Sequence, residues 1–227
     1  MLSRFLVLVA LLLVASADAR AEHTVSESEL KTMWGMGAKV RRSYATTAVQ
    51  ELFLDGTPGN ATMDGAGIEF ARRRGDAEVV FGFGYDQLDA KNGYYLGKGN
   101  DPLTPGDVDL VTFLNPRWYT VEISVINHAE IHKFLEFRYG AGIGIGLVQG
   151  EVRKTDALCV GSSLQTDCAP NPLGAEINQK ANIPPVLPVI NVLVGLQFKP
   201  FQFLHIHLDA GLHTVPYVSL GATLYLW

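Results

Sequence analysis

The chain has 227 residues, 48% of them hydrophobic and 18% charged, with 23 glycines and a formal net charge of −5. This balance excludes a disordered tail or a coiled coil, and the glycine count argues against an all-helical bundle. The acidic balance without basic blocks speaks against nucleic acid as a partner, and the length predicts one domain.

In chain order, residues 1–21 read as a secretory signal peptide. Arg4 supplies the positive start, the run from Phe5 to Ala15 is apolar, and Ala19-Arg20-Ala21 offers a small-x-small cleavage site, with Ala17-Asp18-Ala19 competing. A membrane-spanning helix needs roughly 18–20 apolar residues, and this run is shorter. Residues 22–33 are expected to form a short acidic N-terminal segment in the periplasm. The apolar stretch from Ile183 to Leu196 contains Pro184, Pro185 and Pro188, which defeat a helix. An exported apolar chain without spanning helices is either a secreted soluble β protein or a closed barrel in an outer membrane.

From residue 34 onward the pattern has period two, the signature of strands with two unlike faces. Trp34, Met36, Ala38 and Val40 alternate with Gly35, Gly37, Lys39 and Arg41. Ala66, Ile68 and Phe70 oppose Gly65, Gly67 and Glu69, and Val79, Phe81, Phe83 and Tyr85 oppose Glu78, Gly82, Gly84 and Asp86. Tyr119, Val121, Ile123 and Val125 oppose Thr120, Glu122 and Ser124. Phe137, Tyr139, Ala141, Ile143 and Ile145 alternate with Glu136, Arg138 and a series of glycines. Two further strands follow, one from Val186 to Phe198 and one in which Leu204, Ile206, Leu208 and Leu212 alternate with His205, His207, Asp209 and His213. With a closing strand from Tyr217 to Trp227, the expectation is an all-β, eight-stranded, antiparallel, up-and-down barrel over residues 34–227. One face is aliphatic; the other holds glycines and charges of both signs, which suits a crowded lumen and reverses the faces of a soluble barrel.

The connections alternate in length. Thr46–Thr62, Gln87–Asp107 and Lys154–Pro185 are expected as long extracellular loops. Arg72–Asp76, Asn127–His132 and Lys199–Phe201 are expected as short periplasmic turns, and Thr214–Pro216 is short on the long-loop side.

The closing strand, Ser219-Leu220-Gly221-Ala222-Thr223-Leu224-Tyr225-Leu226, carries a polar-x-Gly-x-x-apolar-x-apolar pattern. On this motif and the strand layout, residues 34–227 resemble the small outer-membrane β-barrels of Gram-negative bacteria, the OmpA/OmpX type. The resemblance implies that Ser219, Gly221, Leu224 and Leu226 form the insertion signal read by the barrel assembly machinery. It also implies contact with outer-membrane lipid and lipopolysaccharide, a monomeric state, and residence in the cell outer membrane. Trp227 departs from the pattern, because in most members the final apolar residue ends the chain; Leu220, Leu224 and Leu226 are nevertheless expected to face lipid.

Among chemically capable residues, Cys159 and Cys168 lie in one long connection. In an oxidising compartment they are expected to form a disulfide, with a free thiol or metal ligand as the alternative. His205, His207 and Asp209, followed by His213, share one strand face. A metal site or general base is conceivable there, but same-face neighbours sit about 6.6–6.8 Å apart along a strand and do not converge by themselves. The favoured expectation is a polar lumen network of Lys39, Arg41, Glu69, Glu122, Glu136, Arg138, His205, His207 and Asp209. Asn127-His128 resembles a pair used by outer-membrane phospholipases, yet it falls in an expected turn with no placed serine, and no His-x-Ser pair of the lipid A deacylases is present. The Gly-x-Gly run at 140–146 lacks the helix and lysine of a phosphate loop. The expectation is therefore a non-enzymatic barrel with a structural or surface-interaction role, no general pore and no cofactor. A lipid-modifying barrel enzyme and a secreted soluble ligand-binding barrel are the alternatives.

Overall fold

The computed structural model describes residues 31–226. The signal peptide with both cleavage sites, residues 22–30 of the expected periplasmic segment, and Trp227 lie outside the described residues. In chain order the strands are β1 (Thr32–Ala45), β2 (Leu54–Gly56), β3 (Ala61–Arg74), β4 (Ala77–Asp89), β5 (Gly93–Gly97), β6 (Val108–His132), β7 (Leu135–Cys159), β8 (Cys168–Pro170), β9 (Gln179–Lys180), β10 (Val186–Phe201), β11 (Leu204–His213) and β12 (Val215–Leu226).

The pairings close a ring. β1 pairs with β3, β3 with β4, β4 with β6, β6 with β7, β7 with β10, β10 with β11, β11 with β12, and β12 returns to β1, every pair antiparallel. Closure matters physically: an open edge would leave backbone N–H and C=O groups unpaired in an apolar medium. Side-chain alternation then sends each strand's two faces to opposite sides of the wall. On β11 His207 is 1% exposed while Leu208 is 57% exposed, and Ile143 of β7 reaches 68%. The aliphatic residues are outside and the charges inside, so the soluble-barrel alternative is excluded by the orientation of the faces.

Glycines let the lumen close around its side chains. A Cβ on Gly146 would stand 1.7 Å from Trp118 Nε1, and one on Gly144 would stand 2.2 Å from the Val121 carbonyl oxygen. The run at 140–146 is thus strand wall, which accounts for it without a phosphate.

The connections differ from the sequence expectation in one systematic way: the strands are longer than their lipid-facing stretches. β6 and β7 each run for 25 residues and pair well beyond the barrel. Their register shifts between Leu114 and Arg117, where Asn115 (φ 53°) and Gly150 (φ 103°) take up left-handed backbone, a bulge that bends the ribbon as it leaves the wall. β5 and then β2 pair onto the β6 side of this ribbon, and β8 and β9 onto the β7 side. Leu96, Val108 and Ala157 form a small core there with Tyr94, Cys159, Leu164 and Cys168. Two of the connections expected as loops, Gln87–Asp107 and Lys154–Pro185, therefore begin inside strands, and all three long ones contain ordered sheet. At the opposite end Asn127–His132 is wholly strand, the turn being Lys133–Phe134, and β10 continues through Lys199 to Phe201.

Candidate functional site: the polar lumen

Every lumen residue is set by strand parity: odd positions point inward on β1, β3, β10, β11 and β12, even positions on β4, β6 and β7. At the short-turn end Glu136 is the hub. It accepts from Arg73 Nη1 and Nη2 at 2.8 and 2.9 Å, from Lys199 Nζ at 2.6 Å and from Gln197 Nε2 at 2.9 Å. His128 lies between two carboxylates, with Nε2 2.7 Å from Glu78 and Nδ1 3.3 Å from Glu136, the second contact lacking hydrogen-bond alignment. Tyr225 donates to Glu78, and its ring centroid is 4.5 Å from that of His205, which bonds Gln197 at 3.1 Å.

At mid-barrel Arg138 Nε lies 3.4 Å from Asp209, and His207 Nδ1 lies 2.9 Å from the same carboxylate. His207 Nε2 is 3.6 Å from Glu69, again as a charge contact without a hydrogen bond. Lys39 joins Glu69 at 2.8 Å to Glu122 at 3.1 Å. His213 and Asn191 also meet Glu122, at 3.1 and 3.5 Å. Towards the long-loop end Arg41 forks onto Asp86, and Tyr217 donates to Asn191 at 3.2 Å.

The structure thus places all nine residues of the expected network inside the barrel, and it adds members the sequence reading left out. Glu78 and Asp86 were on the polar face but had no assigned partner. Arg73, His128 and Lys199 fall in segments expected as turns. His128 corrects the reading of Asn127-His128: it is a buried β6 residue facing the lumen. Continuing each strand's parity two to four residues past its lipid-facing stretch would have found all three.

The assembled chemistry is charge balance. Glu69, Glu78, Asp86, Glu122, Glu136 and Asp209 face Lys39, Arg41, Arg73, Arg138 and Lys199, with four histidines among them. Buried charges persist only when paired and hydrogen-bonded, and here the pairs cross the lumen between strands far apart in sequence. The histidines do not converge: His205 goes to Gln197, His207 to Asp209 and His213 to Glu122. Among the described residues one cluster has metal-ligand geometry, Asp109, Asp156 and Glu176 on the ribbon. A cation is already there: Lys154 binds Glu176 and lies 4.0 Å from Asp109. Burial pushes the Asp109 carboxyl above its ordinary value, and the bond to Glu176 raises Lys154. Cys159 and Cys168 are disulfide-bonded across β7 and β8.

No family model and no curated protein matches the chain. Among solved structures it is similar to Neisserial surface protein A, NspA, at 9% identity over 86% of this chain and 98% of that chain, with a TM-score of 0.43. It is similar at 13% identity, the same coverages and a TM-score of 0.43 to Ail, the attachment invasion locus protein of Yersinia pestis, solved with the heparin analogue sucrose octasulfate. A de novo designed transmembrane β-barrel matches at 10% identity over 85% of this chain and 95% of that chain, with a TM-score of 0.37. The closed antiparallel ring, the aliphatic exterior and the charged interior make this the fold of a small outer-membrane β-barrel.

Proposed function

We propose that the protein is an integral outer-membrane barrel with a structural or surface-interaction role, neither a general pore nor an enzyme. The observation that carries this reading is the lumen: its charged groups are spent on one another across the barrel, from Glu136 at the short-turn end to Arg41 and Asp86 at the long-loop end. A ring of this size leaves an interior filled by side chains. The alternative of a lipid-modifying enzyme requires reactive groups open to the bilayer, whereas His205, His207 and Asp209 are buried on the lumen side.

In the proposed orientation the short turns face the periplasm and the ribbon of β6 and β7 stands on the cell surface as the interaction element. An epitope inserted near Asn171 is then accessible on intact cells, and purified protein in planar bilayers shows no large steady conductance. A buried epitope or a steady open pore overturns the corresponding part of the proposal. Lipid A and phospholipids from cells expressing wild type or a His205→Gln/His207→Gln variant are expected to be identical by mass spectrometry. An acyl-chain difference dependent on either histidine would make the protein an enzyme.

A further inference from the structure

The far end of the β6–β7 ribbon carries apolar side chains that the fold leaves uncovered. On one face Leu96, Val108 and Ala157 are buried with Tyr94, Leu164 and the disulfide. Alternation along β7 sends Asp156 and Leu158 to the other face. Val160 follows just past the strand end, where its N–H donates to the Asp167 carbonyl at 3.0 Å. The turn at 171–174 folds against that same face. Asn171 N–H donates to the Asp156 carbonyl at 2.8 Å, and a Cβ on Gly174 would stand 2.7 Å from Asp156 Cβ. Leu158, Val160 and Leu173 are 42%, 93% and 92% exposed, and Leu103, in the β5–β6 connection at the same end, is 59% exposed. Apolar residues grouped in this way inside a polar rim mark an interaction surface.

The rim is acidic. Residues 93–111 and 154–178 hold Asp101, Asp107, Asp109, Asp156, Asp167 and Glu176 against two lysines, Lys98 and Lys154. Both lysines are already engaged, Lys98 by Asp55 at 2.6 Å and Lys154 by Glu176. Among the described residues Asp101, Asp107 and Asp167 form no ion pair. They accept instead from the Leu103, Asp101 and Ser163 amides at 3.0, 3.0 and 3.1 Å, which fixes the carboxylates in place without neutralising them. Three further cations, Lys91, Arg153 and Lys180, stand nearer the wall. Arg153 meets Glu151 at 2.9 Å and lies opposite Lys180 in register, both on the face away from Leu158. The excess of negative charge therefore belongs to the end that carries the apolar residues.

We propose that the far end of the ribbon binds a cationic amphipathic peptide, its apolar face on Leu158, Val160 and Leu173 and its lysines or arginines on Asp101, Asp107 and Asp167. The spacing suits a helix. Leu158 and Val160 stand about 6.6–6.8 Å apart along the chain, and a helix repeats its apolar face at i and i+4, about 6 Å along its axis. Opposite charge draws such a peptide in and sets its orientation over the apolar patch. A second copy of the ribbon, an anionic bilayer or a sulfated glycan meets like charge instead. The inference rests on the ribbon being the surface-interaction element, and the two fail separately. An epitope near Asn171 that is inaccessible on intact cells overturns that reading and this inference with it; an accessible epitope without peptide capture overturns this inference alone.

Photo-cross-linking provides the measurement. The folded full-length protein in phosphatidylcholine nanodiscs is mixed with a synthetic leucine–lysine amphipathic helix carrying a photoreactive leucine, with empty nanodiscs as the blank, and the cross-links are mapped by mass spectrometry. They are expected within residues 156–175, and severalfold more often than with a leucine–glutamate helix of the same pattern. Val160→Ser/Leu173→Ser, which removes the apolar contact, and Asp101→Asn/Asp107→Asn, which removes charge, are each expected to lower capture severalfold. Cross-links confined to the lipid-facing wall, equal capture of the two helices, or unchanged capture in either folded variant would overturn the proposal. Val160 and Leu173 are almost wholly exposed, so their serine variant is expected to fold, which the heat-induced mobility shift checks. Should the asparagine variant not fold, the serine variant and the glutamate helix decide the outcome.

Discussion

Glu136 shows what a single residue does in this lumen. Its carboxylate serves Arg73, Lys199 and Gln197 together. Removing one member of a buried ionic group is far worse than never having the group, because the partners stay behind uncompensated. Glu136→Ala is expected to destabilise the folded barrel by about 3–5 kcal/mol, read as a lower urea midpoint with unchanged slope in detergent. Glu136→Gln should cost less, since an amide oxygen still accepts from Arg73 and Lys199, itself partly exposed, can turn to water. An unaltered midpoint in Glu136→Ala would show that the network contributes nothing to stability.

The elements divide between wall and ribbon, and two predictions belong to the ribbon. The Cys159–Cys168 disulfide closes a loop with a sequence separation of 9 and stabilises it by about 2–3 kcal/mol in the chain-entropy model. Because that loop lies beyond the wall, Cys159→Ser/Cys168→Ser should speed proteolysis within residues 160–185 and leave the heat-induced mobility shift of the barrel unchanged. Asp55 of β2 ties the β5 end through Lys98 Nζ at 2.6 Å and the Gly99 amide at 2.7 Å. The Lys98 bond first, and the Gly99 amide second, hold its carboxyl below the ordinary value. A lowered folded value means that the stabilisation is complete above the unfolded carboxyl's pKa, about 3.9, and is lost as pH falls through the folded one. The protection factor of the Gly99 amide, its exchange measured against the intrinsic rate at the same pH, should therefore hold steady at neutral pH and fall on acidification through the lowered folded value, whereas in Asp55→Ala it should be low and show no such step.

For the whole molecule the governing fact is the reversal of inside and outside. Ile143 is 68% exposed on the lipid side of β7, and its strand neighbours on that face, Ala141 and Ile145, are apolar as well. Ile143→Arg is expected to cost about 2–4 kcal/mol if the residue lies near the bilayer midplane, measured by folding into lipid vesicles. In a soluble barrel the same exposed position would accept arginine within about 0.5 kcal/mol, so a neutral result would contradict the membrane orientation.

Much of this was legible in the chain, because a wall with one lipid face and one polar face must write its geometry as strict alternation. Leu204 through His213 specify which side of β11 is which without any knowledge of neighbours, and the same holds for Lys39, Arg41, Glu122 and Arg138. Strand ends were not legible, since alternation in apolar character stops at the lipid boundary while backbone pairing does not. That is why Arg73, His128 and Lys199 were read as turn residues and the ribbon of β6 and β7 as loops. Partner choice was equally beyond the sequence: Arg73 with Glu136 and Lys39 with Glu122 join strands distant along the chain, and only ring closure and register set their distances. The sequence by itself determined the two faces, because periodicity is local; the tertiary structure decided the pairs and the ribbon, because each depends on the relative position of strands remote in the chain.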